Sequence, residues 1–248
     1  MVMKFFVLGT LALSCALAQQ GGNAPNKCAS VPTAAQLRAH LKAAPGLTDP
    51  AIGGMVGGLF GGTRMWAAVV NRDGEVCAVA SSQDDPTQVW PGSHAIAKAK
   101  AYTANAFSLD TFNLSTARLY TFTQPGHSLW SLGQSNLFNS EQLAAPSDQN
   151  KSNGKFAGGL IFFGGGGPIY SGGKIVGGLG ISGDTSCADH EIAKRVRHLA
   201  DLNPSGGPTA DDITYSVADG PSVFTHPRCI NTFRNGIPLG GEAAAAGY

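Results

Sequence analysis

Apolar positions in this chain follow two periods, and the points where one gives way to the other outline its elements. Residues 65–70 and 75–80 are apolar, β-branched runs joined by Asn71-Arg72-Asp73-Gly74. Two such runs around an Asp-Gly turn predict a hairpin. Ser93 then stands as N-cap of an Ala-rich helix reaching about Phe107, with Ile96, Ala99, Thr103 and Phe107 at helical spacing. Upstream, Thr33 and Gln36 form the capping box of a shorter helix, with Leu37 and Leu41 on one face and Pro45-Gly46 as its stop. Residues 119–123 alternate like a strand, and 156–163 and 174–182 read as two more, the last preceded by a turn at Ser171-Gly172-Gly173. A final helix begins near Ser186, with Asp189 completing a loose capping pair. Its apolar face is Ala188, Ile192, Val196 and Leu199, and Glu191–Arg195 is a favourable i,i+4 pair. Residues 139–155 are a polar loop, and from Asn203 the chain is Pro/Gly-rich and irregular. Hairpins dominate this order, which predicts an α+β fold: a mainly antiparallel, five-stranded sheet flanked by helices.

The N-terminus changes the picture. Lys4, an apolar run over residues 5–18 and Ala16-Leu17-Ala18 form a secretory signal-peptide pattern over residues 1–18. At about fourteen residues the run is too short to span a bilayer, and no membrane span is expected in the mature chain. Removing it takes Lys+Arg from 17 to 16, against 16 Asp+Glu. The mature formal charge is then zero, and nothing steers a nucleic acid. Cys15 also leaves, so four cysteines remain: Cys28, Cys77, Cys187 and Cys229. An even set in an exported chain predicts two disulfides and a secreted or periplasmic location. Of three connectivities, Cys28–Cys77 with Cys187–Cys229 is expected, because it ties an arm at each end to the core. The set contains no C-x2-C pair of the kind a zinc site uses.

Composition adds a constraint. The chain of 248 residues contains 34 glycines, about twice the usual share. With 43% hydrophobic residues, no G-X-Y period and mean hydropathy near zero, collagen, disorder and coiled coil are excluded. Six glycines fall in residues 53–62 and thirteen in residues 154–183. The second group contains G-L-G-I-S-G at 178–183, a G-x-G-x-x-G match. A dinucleotide site would need a following parallel strand, but Asn-Pro-Ser-Gly-Gly-Pro follows Leu202. Close packing of a helix or a neighbouring subunit against these glycines is expected instead. There is no G-x-S-x-G and no H-E-x-x-H. His190 and His198, eight residues apart, would stand ~12 Å apart on one helix, too far for one metal. Sequons occur at Asn113 and Asn150.

Lys100, Thr103 and Ala104 in the Ala-rich helix, Gly167-Pro168-Ile169, residues 177–183, and the D-H-E-I-A segment at 189–193 form a specific combination. Over roughly residues 33–202 the chain resembles the GlcG/HbpS family, also called the haem-degrading or PduO C-terminal-like domain. The resemblance implies a profilin-like sandwich that assembles into oligomers. It also implies haem or tetrapyrrole binding in some members, iron binding or sensing in exported ones, and cobalamin-related roles in others. The expected organisation is a signal peptide at 1–18, an arm at 19–32, the domain at 33–202 and an irregular extension at 203–248. The arm and extension lie outside the minimal domain and suggest an exported, disulfide-containing branch.

Haem needs an axial donor, an apolar slot and cations for its propionates. No C-x-x-C-H is present, so covalent attachment is excluded. The candidate donors are His94 at the first turn of the Ala-rich helix, His127 on a loop, and His190, which Asp189 is placed to orient. Lys98 and Lys100 are the propionate candidates. Phe162, Phe163 and the backbone of residues 164–167, Gly166 and Gly167 included, would line the slot. His94 and His190 are also the candidate metal ligands; His40, His198 and His226 rank below them, and Tyr102 and Tyr170 read as packing residues. The expected function is an exported, oligomeric haem-, tetrapyrrole- or iron-binding protein. The alternative is an enzyme acting on a small organic acid or aromatic compound, with His94 or His190 as acid/base.

Overall fold

The computed structural model describes residues 26–140 and 155–241. The signal peptide expected at 1–18, residues 19–25 of the arm, residues 141–154 with the Asn150 sequon, and residues 242–248 lie outside the described residues.

The hairpin forms as its two apolar runs and their Asp-Gly turn predict. Strand β1 (Trp66–Asn71) pairs antiparallel with β2 (Val76–Ser81). The Gly74 N–H closes the turn on the Asn71 carbonyl at 2.9 Å, and the Asn71 side chain accepts from the Glu75 N–H at 3.0 Å. A bulge opposite Val69/Val70 leaves Cys77 as the extra residue. Cys77 thereby joins Ala78 on one face of the sheet, where the arm reaches it through the Cys28–Cys77 disulfide.

Three α-helices among the described residues precede the second half of the sheet. Helix α1 (Ala34–Ala43) carries the expected capping box, and its Leu37 and Leu41 are buried. Helix α2 (Pro91–Ala106) starts earlier than Ser93, because Pro91 presets the first helical φ and Trp90 takes the N-cap position. A short helix α3 (Leu132–Ser135) follows. Strands β3 (Gly166–Ser171) and β4 (Lys174–Ser182) then complete one antiparallel sheet in the order β2-β1-β4-β3. Helix α4 (Ser186–Leu199) follows, capped by Thr185, whose hydroxyl accepts from the Ala188 N–H at 3.3 Å.

The sheet therefore has four strands rather than five. Residues 119–123 form 3-10 turns, Thr116–Leu119 and Thr121–Thr123. The Thr123 hydroxyl donates back to the Tyr120 carbonyl at 2.9 Å, a local bond that competes with strand pairing. Residues 156–163 make only isolated bridges, at Phe156 and Gly158, because Gly158 and Gly159 adopt left-handed φ of 65° and 68°.

Alternation along the strands divides the core into two layers. Ala67, Val69, Leu179 and Ile181 pack with Leu37, Leu41, Ile192 and Val196 of α1 and α4. Trp66, Ala68, Val70 and Val79 pack with Ala97 and Ala101 of α2 on the opposite face. Gly178 and Gly180 lie under α2, where a Cβ would overlap the carbonyls of Ala101 and Ala97. The G-x-G-x-x-G segment is thus a strand whose missing side chains admit a helix backbone, as its sequence context implied. The extension wraps α4 through α5 (Ser216–Asp219) and a ribbon of β5 (Thr232–Arg234) and β6 (Ile237–Gly240), tied by Cys187–Cys229.

Candidate functional site

The segment at 164–167 leads into β3 at the place where α2 and α4 come together. Lys100 projects from α2, and its ammonium donates to Asp189 Oδ2 of α4 at 2.6 Å and to the Ile181 carbonyl at 2.9 Å. It also lies 4.8 Å from the centre of the Phe163 ring. Gly165 makes room for this contact: its φ is 113°, and a Cβ there would lie 2.7 Å from Lys100 Nζ. Both ionic side chains are buried, at 0% and 2% exposure. Burial pushes the Asp189 carboxyl up to about 6, against the pull of Lys100, and holds Lys100 below its ordinary value. The second Asp189 oxygen accepts from the Asp184 N–H at 2.9 Å. Asp184 in turn accepts from the N–H groups of Leu59 at 2.6 Å and Phe60 at 2.8 Å, pinning the first glycine cluster.

On the far side of residue 164 the extension supplies a second polar group. The Gly164 N–H donates to His226 Nε2 at 3.2 Å, and His226 Nδ1–H donates to the Pro227 carbonyl at 2.7 Å. Those bonds require the neutral imidazole, and burial pulls His226 down to about 4. His190 Nε2 stands 3.5 Å from Asp212 Oδ1, and Lys194 bridges Glu191 at 2.6 Å and Asp212 at 2.8 Å. Burial acts against the Asp212 charge, but Lys194 and His190 hold its carboxyl well below the usual range. Arg197 makes a bidentate pair with Asp211 at 2.8 and 2.5 Å and donates to the Pro168 carbonyl at 3.1 Å.

Of the residues nominated from the sequence, the fold brings Lys100, Phe163, Gly166 and His190 together. Gly166 donates to Thr116 Oγ1 at 2.9 Å, and Gly167 packs under the Arg197 guanidinium. His94 lies in the α2 layer instead, its ring edge-on to Trp66 at 4.7 Å. His94, His190, Lys98 and Lys100 are all buried, so none presents its polar atoms to a ligand at the surface of this subunit. His127 is exposed on the loop after the 3-10 turns. Among the described residues no group of three or more His, Cys, Asp or Glu could hold a metal ion. Sequence reasoning missed Asp211, Asp212 and the role of His226, because they fall in a stretch without periodicity. It also missed an open groove of about 540 Å³ between the first glycine cluster and the ribbon, lined by Met55, Val56, Asn231 and Phe233 among others.

Residues 59–197 match the family described as haem degrading protein HbpS-like. Among curated proteins none matches the sequence. In fold the chain is similar to the Klebsiella pneumoniae protein ORFY, with 20% identity over 68% of this chain and 87% of that one and a TM-score of 0.46. It is also similar to PduOC, solved as a heme complex, with 21% identity over 68% and 92% and a TM-score of 0.46. A double mutant of HbpS from Streptomyces reticuli shares 18% identity over 78% and 97%, with a TM-score of 0.41. These likenesses concern the fold alone.

Proposed function

Because the chain belongs to the haem-degrading HbpS-like family, we propose that it is an exported, self-associating protein that binds haem or a related tetrapyrrole. The observation that carries this reading is the family match over residues 59–197, which span the whole four-stranded sheet, α2 and nearly all of α4. Two disulfides and the N-terminal signal pattern support export. Exposed Trp130, Leu137, Phe138 and Phe156 support self-association. No helix among the described residues is long and apolar enough to cross a membrane.

The open groove meets part of what the group needs, an exposed donor and apolar surface, but among the described residues no Lys or Arg lines it, so the propionates would stay in solvent. His94 and His190 could reach a haem iron only by leaving their packed positions, and Lys98 and Lys100 are buried with them. The groove offers about 540 Å³ of space with a partly apolar lining, and Met55 would supply an exposed thioether as a donor to the iron. Val56 and Phe233 would flank the macrocycle, and Asn231 would offer a polar contact at the rim. When bound, haem supplies an iron centre able to take a further ligand and to change oxidation state. His127 is the exposed alternative donor.

Hemin titration of the purified protein, with metal analysis as isolated, tests this. A shifted Soret band that weakens in Met55→Ala is expected, with His94→Ala and His190→Ala changing stability but not the band. A band lost in His127→Ala and kept in Met55→Ala moves the site to the loop, and no band in any form overturns the reading. Light scattering across a concentration series tests self-association.

A further inference from the structure

A second cavity, of about 140 Å³, lies where the first glycine cluster meets the start of α2. Its walls are formed by Phe60, Arg64, Trp90 and Pro91 with the polar Thr87 and Gln88, Val89 and Gly183 completing them, and it shares no lining residue with the Met55 groove. We infer that this cleft binds a single-ring aromatic carboxylate, held by the Arg64 guanidinium and by the faces and edges of Trp90 and Phe60.

Size sets the first limit. A cavity of about 150 Å³ is known to take benzene, so this one accommodates one aromatic ring and not a macrocycle. The walls set the second. Phe60 and Trp90 stand edge to face, with centroids 5.5 Å apart and planes at 73°, and Trp90 is half exposed. Val89 borders the cleft from the core side, packed with Trp66 and Ala97. A planar ring entering here meets Phe60 and Trp90 beside the polar side chains of Thr87 and Gln88.

Charge sets the third. The Arg64 guanidinium lies 5.2 Å from the Phe60 ring centre, and among the described residues it makes a single hydrogen bond, a long 3.4 Å contact to the Gln88 carbonyl. Among the described residues no carboxylate pairs with it. Asp85 is close in sequence, but it lines no wall of the cleft, and its carboxylate accepts from Thr87 and Gln88. A guanidinium held against an aromatic face, with its donors uncommitted, is suited to a planar carboxylate, which it can grip through two parallel N–H bonds.

The cleft is also held in shape. Asp184 fixes Leu59 and Phe60 through their N–H groups. Gly183 abuts the Arg64 carbonyl so closely that no Cβ would fit there. These contacts fix the backbones of Phe60 and Arg64, and the Arg64 guanidinium rests against the Phe60 ring.

Calorimetric titration with benzoate, acetate and benzamide tests the inference, with the change in tryptophan emission that is lost in Trp90→Ala as a second readout. Benzoate should bind, with acetate and benzamide each weaker by about tenfold or more. Arg64→Gln should weaken benzoate about as much without changing the melting temperature, because Arg64 is exposed, and Arg64→Lys should restore part of the loss. Trp90→Ala should weaken benzoate and leave acetate unchanged. Absence of benzoate binding, equal binding of benzamide, or unchanged affinity in Arg64→Gln would each overturn the inference. None of these outcomes bears on the hemin titration, so the two readings stand or fall separately.

Discussion

Lys100 on α2 and Asp189 on α4 meet at 2.6 Å, and this one bond joins two helices that pack on opposite faces of the sheet. The pair is sealed from solvent, so its worth depends on keeping both members. Removing one member leaves an uncompensated buried charge, which costs ~3–5 kcal/mol. Lys100→Met and Asp189→Asn should each fall in that range at neutral pH. The double variant Lys100→Met/Asp189→Leu should lose less than the sum. Urea unfolding of the cycle measures the coupling; strict additivity would show that the two side chains do not act as a pair.

Acid sensitivity should divide between two groups with opposite signs. His226 has a folded pKa near 4, below its ordinary 6.5, so the unfolded chain binds more protons in that window. Its contribution to stability is therefore lost as pH falls from about 6.5 to 4, by about 3 kcal/mol in all. Asp189, raised to about 6, works the other way: the folded state holds its proton longer, and stability falls as pH rises from about 4 to 6. The two slopes oppose each other in the native protein. In His226→Gln the opposing term is gone, and unfolding free energy should drop with rising pH between 4 and 6. A flat profile in that variant would remove the assignment to Asp189.

Gly180 is the tightest point under α2. In Gly180→Ala the new methyl would overlap the Ala97 carbonyl, a backbone atom with no freedom to move aside. The expected result is loss of soluble folded protein, or destabilisation of more than about 3 kcal/mol. Gly92→Ala, in the first turn of the same helix, meets nothing within 4 Å and should be neutral or stabilising by up to about 1 kcal/mol. Melting temperatures of the two variants make the comparison.

Cys187–Cys229 closes a separation of 42 residues and anchors the extension three residues beyond His226. Chain-entropy reasoning gives it about 4 kcal/mol. Cys187→Ser/Cys229→Ser should lower stability by that order and increase amide exchange in residues 226–240 before the sheet. Uniform exchange across the chain would show that the extension and the sheet unfold as one unit.

Local pattern carried much of the fold. The β1–β2 hairpin, the capping box at Thr33 and the apolar face of α4 were legible because each depends on neighbours within one or two turns of chain. Residues 119–123 misled because five alternating positions cannot distinguish a strand from 3-10 turns closed by a threonine hydroxyl. At the candidate site, Lys100, Asp189 and His190 stood out through family resemblance. Burial of His94 against Trp66 could not be read, since the two lie on different elements and their meeting depends on how α2 seats over Gly178 and Gly180. His226 left no signal, because one histidine in an aperiodic stretch has no pattern to announce its partner at Gly164.

The sequence by itself pointed to the family, the α+β class and two disulfides, which rest on residue types and short-range periods. Which cysteines pair, and that a helix rather than a neighbouring subunit covers the glycines of β4, came from the structure. Tertiary structure alone decided which polar groups are sealed and which are open. It buried Lys100 and His190 inside an ionic network and His94 against Trp66, and it left His127, Met55 and Arg64 facing solvent. Exposure is set by contacts between residues far apart in the chain, such as Asp184 with Leu59 and His226 with Gly164, and sequence spacing does not encode those distances.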